Sequence, residues 1–187
     1  MSGSWRIGLL CILWWCSAAA VAESRFSFQG GYAFNRSQES YYPLNSQAGY
    51  KPTPPIDIEQ AYLGVTVMRN ISERLSLGMG TRIMTDTWPM SAGSGALWAL
   101  DLLVMEYAVA RWLTLRGSFG AVKSFENKPA YGTAFGFQAL VPLTERTSIG
   151  LGLLEGPVGQ EQRTTVDGPD MEGGEVKAYY MFLEWNY

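Results

Sequence analysis

Paired carboxylates crowd one stretch of this chain: Glu155, Glu161, Asp167, Asp170, Glu172 and Glu175. Such a set suits a divalent cation or a polar surface. Its spacing does not match a helix-loop-helix calcium loop, and the intervening Asp167-Gly168-Pro169 reads as a turn. A solvated acidic loop is the favoured reading. Nucleophilic and metal chemistry have little else to draw on. There is no His, and the two cysteines, Cys11 and Cys16, both lie in the first 22 residues. Beyond residue 22 this excludes His-dependent triads, thiolate nucleophiles and thiolate metal sites. No HExxH, phosphate-binding loop or dinucleotide fingerprint occurs. Asn35-Arg36-Ser37 and Asn70-Ile71-Ser72 match a glycosylation tripeptide by chance. No cofactor, metal or enzymatic activity is expected.

A different set of charges stands out by isolation. Arg82, Arg116 and Glu184 are single charges on otherwise small, polar strand faces, and Glu106 sits in an apolar segment. Reflecting Arg116 through a turn at residues 111–112 places it opposite residue 107, next to Glu106. The four are expected to form a polar network inside a fold, because a buried guanidinium requires an anionic partner. Asp101 and Glu106 have opposite strand parity, so one must face outward, lie beyond the layer, or be accommodated by a bulge. Asp101 is expected near the outer interface.

These residues need strands to position them. Phe26, Phe28, Gly30, Tyr32 and Phe34 alternate with Ser27, Gln29, Gly31, Ala33 and Asn35. Period-two alternation recurs over 75–83, 113–121, 133–139 and 148–153, as half-buried strands require. Residues 58–68 and 96–110 are apolar on both faces. The second run also admits a helix, but its place between two strong strands favours a strand. Links alternate in length. Short turns fall at 69–74, 110–112 and 142–146, and long polar links at 37–55, 85–95, 124–130 and 155–174. The order long, short, long, short, long, short, long joins eight strands up and down. Glu73-Arg74-Leu75-Ser76-Leu77-Gly78 and Glu145-Arg146-Thr147-Ser148-Ile149-Gly150 are a recurring hairpin entry.

Residues 1–22 read as a signal peptide: Arg6, an apolar run from Ile7 to Trp15, then Ala20-Val21-Ala22 before Glu23. The run is too short to span a bilayer as a helix. Trp14 and Trp15 before Cys16 fit a lipidation site poorly. Removing 22 of 187 residues leaves 165, one domain over 23–187, with 13 basic and 17 acidic residues (Arg6 excluded) and a net charge of −4. That balance argues against nucleic acid as a partner.

The last segment closes the case for a membrane fold. Tyr179, Met181, Leu183, Trp185 and Tyr187 alternate to the final residue. This resembles the C-terminal signature of bacterial outer-membrane β-barrels, although many of those end in Phe. The layout resembles the eight-stranded OmpA-like and OmpW-like barrels. The resemblance implies an all-β, antiparallel, up-and-down transmembrane barrel in the outer membrane of a Gram-negative bacterium. It also implies contact with lipid and lipopolysaccharide, and insertion by the outer-membrane assembly machinery. Tyr32, Tyr107, Trp112, Trp185 and Tyr187 are the expected interfacial girdle.

Three roles are open. A surface-interaction barrel would use its outer links, with Tyr41, Tyr42, Tyr50 and Trp88 as candidate contacts. A narrow channel or binding protein for small hydrophobic molecules, as OmpW-like layout implies, would use Tyr62, Trp98, Leu100 and Leu102 as its inward apolar group. An accessory subunit of a larger envelope complex is the third. The soluble alternative is a periplasmic lipocalin-like carrier, with the apolar faces turned inward. Its polar face would then be the surface, and that face carries too few charges for one.

Overall fold

Alternation of side chains decides the architecture, because a strand buries one face and exposes the other. In the computed structural model, which describes residues 24–41, 59–86, 90, 95–125, 130–160, 164–165, 168–169 and 173–187, these faces close into a cylinder. The strands are β1 (Ser24–Tyr41), β2 (Gln60–Asn70), β3 (Leu75–Thr85), β4 (Leu97–Ala110), β5 (Leu113–Ser124), β6 (Ala130–Pro142), β7 (Thr147–Gln160) and β10 (Gly173–Asn186). Two short strands, β8 (Thr164–Thr165) and β9 (Gly168–Pro169), form a separate ladder within the last long link. Each barrel strand pairs antiparallel with its sequence neighbour, and β1 closes on β10. No sheet edge is left in the barrel, as a lipid-embedded backbone requires.

The outer wall is apolar. Phe28, Leu63, Leu102, Phe135, Leu151 and Met181 all project outward and lie 44–61% open. Their chain neighbours, such as Gln29, Tyr62, Asp101, Ala134, Gly152 and Tyr180, point inward. This is the inverse of a soluble carrier, so the lipocalin-like alternative is set aside. The segment 96–110 is a strand, and even-numbered residues of β2 face inward. Trp98, Leu100 and Leu102, expected to line the interior, face outward instead. Of that group only Tyr62 is inside. Apolarity on both faces hid the parity.

Two of the three short turns share one chemistry. Ser72 Oγ accepts the N–H groups of Arg74 and Leu75 (3.4 and 3.1 Å), while Ile71 N–H donates to Leu75 O (2.8 Å). Thr144 Oγ1 accepts those of Arg146 and Thr147 (3.2 and 3.0 Å), with Leu143 N–H donating to Thr147 O (2.8 Å). A hydroxyl that binds backbone two and three residues on holds such a turn locally. At the other end the strands run further than the sequence suggested. β1 extends to Tyr41, while β7 reaches Gln160 and β10 begins at Gly173, so Glu155 and Glu175 belong to the wall and not to a loop.

Candidate functional site

The lumen is filled at mid-depth by charge. Arg116, inward on β5, stands in register with Glu106 on β4 and with Gln138 on β6. The sequence placed it opposite residue 107, one step away. Its Nε donates to Glu106 Oε2 (3.0 Å) and its Nη2 to the same atom (2.5 Å). Nη1 and Nη2 donate to Glu184 on β10 (2.6 and 3.0 Å), and Nη1 also to Gln138 Oε1 (3.1 Å). One guanidinium thus ties β4, β6 and β10 across the barrel. Arg116 and Glu184 are each 2% exposed. Their charges are tolerable there because every one is answered at bonding distance.

The network spreads both ways. Arg25, at the short-turn end of β1, donates to Glu106 Oε1 (2.5 Å). Gln29 Nε2 donates to Glu184 Oε2 (2.7 Å), and the Tyr62 hydroxyl donates to Gln29 Oε1. Gln138 Nε2 donates to the Tyr180 hydroxyl (3.1 Å). Tyr62 and Tyr180 stack, with ring centroids 4.4 Å apart. Arg82 Nη1 donates to Tyr180 Oη (2.5 Å), and Nη2 donates to Ser118 Oγ (2.7 Å) and to Asp101. Three arginines, Arg25, Arg82 and Arg116, therefore balance three carboxylates, Asp101, Glu106 and Glu184. An opening beside them, lined by Thr66, Arg82, Asp101, Arg116, Ser118 and Gln138 among others, has about 10 Å³ of free volume. That is room for about one water molecule at most, not an ion path.

Arg82, Glu106, Arg116 and Glu184 all lie inside, and the first is joined to the other three through Tyr180 and Gln138. Asp101 does not sit near the outer interface. It is buried at 5% exposure and paired with Arg82. The ladder slips between Asp101 and Leu103 against β5, and between Gly78 and Gly80 against β3, so β4 carries one extra residue. That bulge turns both Asp101 and Glu106 inward. Gln29, Tyr62, Gln138 and Tyr180 were missed as network members. Inward glycines gave the clue: a Cβ on Gly152 would strike the Tyr180 ring, and one on Gly64 would approach Gln29 and the Tyr62 hydroxyl.

Tyr179, Met181, Leu183, Trp185 and Tyr187 line one side of β10 and face outward, Tyr187 at 77% exposure. Tyr32, Tyr107 and Trp112 are also exposed. Tyr41 ends β1, opposite Gly173. Tyr42, Tyr50 and Trp88 lie outside the described residues, as do Glu161, Asp167, Asp170 and Glu172. Glu155 pairs with Lys177 (3.4 Å) on the outer wall. Among the described residues no cluster of His, Cys, Asp and Glu is arranged to hold a metal ion.

No family model and no curated protein sequence matches the chain. Solved structures do. The barrel is similar to Ail, the attachment invasion locus protein of Yersinia pestis, at 12% identity, covering 88% of this chain and 99% of that one, with a TM-score of 0.53. It is similar to the same protein in complex with the heparin analogue sucrose octasulfate, at 11% identity, the same coverage and a TM-score of 0.52. The outer membrane protein OprG from Pseudomonas aeruginosa aligns at 12% identity over 88% of this chain and 96% of that one, with a TM-score of 0.45. The fold is that of a small outer-membrane β-barrel. An apolar wall, a closed backbone and an interior filled by side chains, with its buried charges paired, are what that setting demands of eight strands.

Proposed function

We propose that this chain is an outer-membrane anchor barrel that acts at the cell surface through its long links, and not by passing solutes. One observation carries the reading: Arg116 bridges three strands across the lumen with both its glutamate partners buried. Eight strands enclose room only for side chains, and here side chains occupy it. A rigid barrel that conducts nothing leaves its links to do the work. Contacts with lipopolysaccharide, and recognition of the β10 outer row by the assembly machinery, belong to the same proposal. No enzymatic role is included, since the buried acids and bases neutralise one another.

Planar bilayers containing the purified barrel should show no steady conductance steps. A stable ohmic step would overturn the closed-lumen reading. Shortening the links 42–58 and 87–94 should leave the heat-sensitive electrophoretic shift of the folded barrel intact. It should also abolish adhesion of expressing cells to whichever immobilised glycans or matrix proteins bind the full chain. Adhesion that survives both deletions would remove the links as the site.

A second reading has its own support. The link-side half of the lumen is lined by apolar residues, among them Ala33, Met84, Leu97, Val122, Val158 and Val176. A small hydrophobic ligand would match their chemistry and would have to part these packed side chains to enter. A rise in the unfolding midpoint with alkyl or aromatic compounds would favour it, and a flat response across such a panel would count against it.

A further inference from the structure

The recurring hairpin entry extends into the whole barrel. Residues 60–82 align with 132–154 without a gap, and Gly64, Glu73, Arg74, Ser76, Gly78 and Gly80 meet the same residue types at Gly136, Glu145, Arg146, Ser148, Gly150 and Gly152. The turns inside that span carry the same hydrogen bonds at Ser72 and Thr144. Residues 26–32, Phe-Ser-Phe-Gln-Gly-Gly-Tyr, align with 113–119, Leu-Thr-Leu-Arg-Gly-Ser-Phe. Met105-Glu106-Tyr107 aligns with Leu183-Glu184-Trp185.

Pairing follows the same map. Gln29 opposite Glu184 corresponds to Arg116 opposite Glu106. Ser76 opposite Glu106 corresponds to Ser148 opposite Glu184. Met68 opposite Gly78 corresponds to Leu140 opposite Gly150. The β1–β2 pairing departs by a slip of two residues against β5–β6, which keeps every side chain on its own face. The seams differ away from the glutamates, where β1 takes up an extra residue between Phe34 and Ser37 and β4 another between Ala108 and Ala110. The β4 bulge fits as a one-residue insertion. Ala99 lies opposite Arg82 as Ala178 lies opposite Leu154, and Asp101 lies opposite Gly80 as Tyr180 lies opposite Gly152. Alternation alone would make any two strands look alike. Shared turn chemistry, shared seam register around the two glutamates and an insertion that both β4 ladders locate are not consequences of alternation.

We infer that the barrel is a tandem duplication of one four-stranded unit, β1–β4 and then β5–β7 with β10, and that positions 29 and 116 are equivalent seats for the guanidinium that holds Glu106 and Glu184. The two seams, β10–β1 and β4–β5, each place a glutamate of one unit in register with a long polar residue of the other. Today Arg116 fills one seat and reaches both glutamates, while Gln29 fills the other and holds Glu184 alone. Arginine at position 29 would meet Glu184 in register and Glu106 across the centre, mirroring what Arg116 does now.

The test moves the arginine in the full-length barrel. Arg116→Gln leaves two buried carboxylates short of their shared cation. It should lower the urea midpoint of the heat-sensitive electrophoretic shift, or abolish the folded band. Gln29→Arg combined with Arg116→Gln should recover at least half of the lost midpoint, or restore the band. Gln138→Arg combined with Arg116→Gln is the control, a change of equal size in the same centre with no glutamate in register. It should recover less. Failure of the position-29 variant to recover, equal recovery by the position-138 variant, or a wild-type midpoint for Arg116→Gln alone would each overturn the inference.

Discussion

Asp101 and Glu106 lie five residues apart on β4, yet both point into the lumen, because the strand carries one extra residue between them. Regular alternation would send one of them into lipid. Deleting Leu102 removes the extra residue and leaves the two carboxylates four residues apart, so regular alternation alone should keep both Asp101 and Glu106 inward. Removing one partner of a buried pair costs about 3–5 kcal/mol. Asp101→Asn should therefore lower the urea midpoint of the folded band, and the Leu102 deletion should lower it far less. A deletion variant as unstable as Asp101→Asn would show that strand parity is not what keeps Asp101 inward.

Gly152 and Gly117 separate packing from backbone effects. An added methyl at Gly152 would collide with the Tyr180 ring, whereas nothing lies within 4 Å of one at Gly117. Gly152→Ala should destabilise the barrel by about 1–3 kcal/mol through overpacking. Gly117→Ala should be neutral or slightly stabilising, since glycine in a strand costs about 0.5–1 kcal/mol. Paired urea titrations of the two variants in one detergent decide this, and equal losses would discard the packing explanation.

Much of this was legible in the residues alone. Alternation such as Phe26-Ser27-Phe28-Gln29 fixes facing, and alternating link lengths fix the up-and-down order. A lone Arg116 on a small polar face, reflected through a short turn, finds Glu106 to within one position. Facing on β4 was not legible, because apolar residues fill both sides of that strand and a one-residue bulge leaves no mark in composition. Aligning residues 99–106 with 178–184 exposes the extra residue, but only once the duplication is seen. Tyr62 and Tyr180 were obscure for a related reason. An inward tyrosine reads as outer-wall apolarity until the glycine opposite it, Gly152 for Tyr180, is noticed.

Glu106 and Glu184 share Arg116, so their losses should not add. Glu184→Gln leaves Arg116 paired with Glu106, and Glu106→Gln leaves it paired with Glu184. The double variant leaves the guanidinium with neutral acceptors only. Groups within one network show coupling of about 0.5–3 kcal/mol. The double variant is expected to lose more than the sum of the singles, by urea midpoints of all four proteins. Simple additivity would mean that the two glutamates hold the barrel independently.

Lipid-facing residues give the sharpest contrast between depth and edge. Leu151 is 60% open and sits opposite Met181 and Ala139, well within its strand. Trp112 is 65% open but lies at the β4–β5 turn. Exposure is similar for both, so a large difference between them must come from the solvent each one meets. Arginine costs about 2–4 kcal/mol on the lipid face at the bilayer midplane and about 1 kcal/mol or less near the interface. Leu151→Arg should therefore reduce the folded fraction recovered in lipid vesicles sharply, and Trp112→Arg only slightly. In a water-bathed barrel neither change would destabilise, and Leu151→Arg would improve solubility. A full folded fraction for Leu151→Arg, measured by the electrophoretic shift from vesicles, would mean that this part of the wall does not meet lipid.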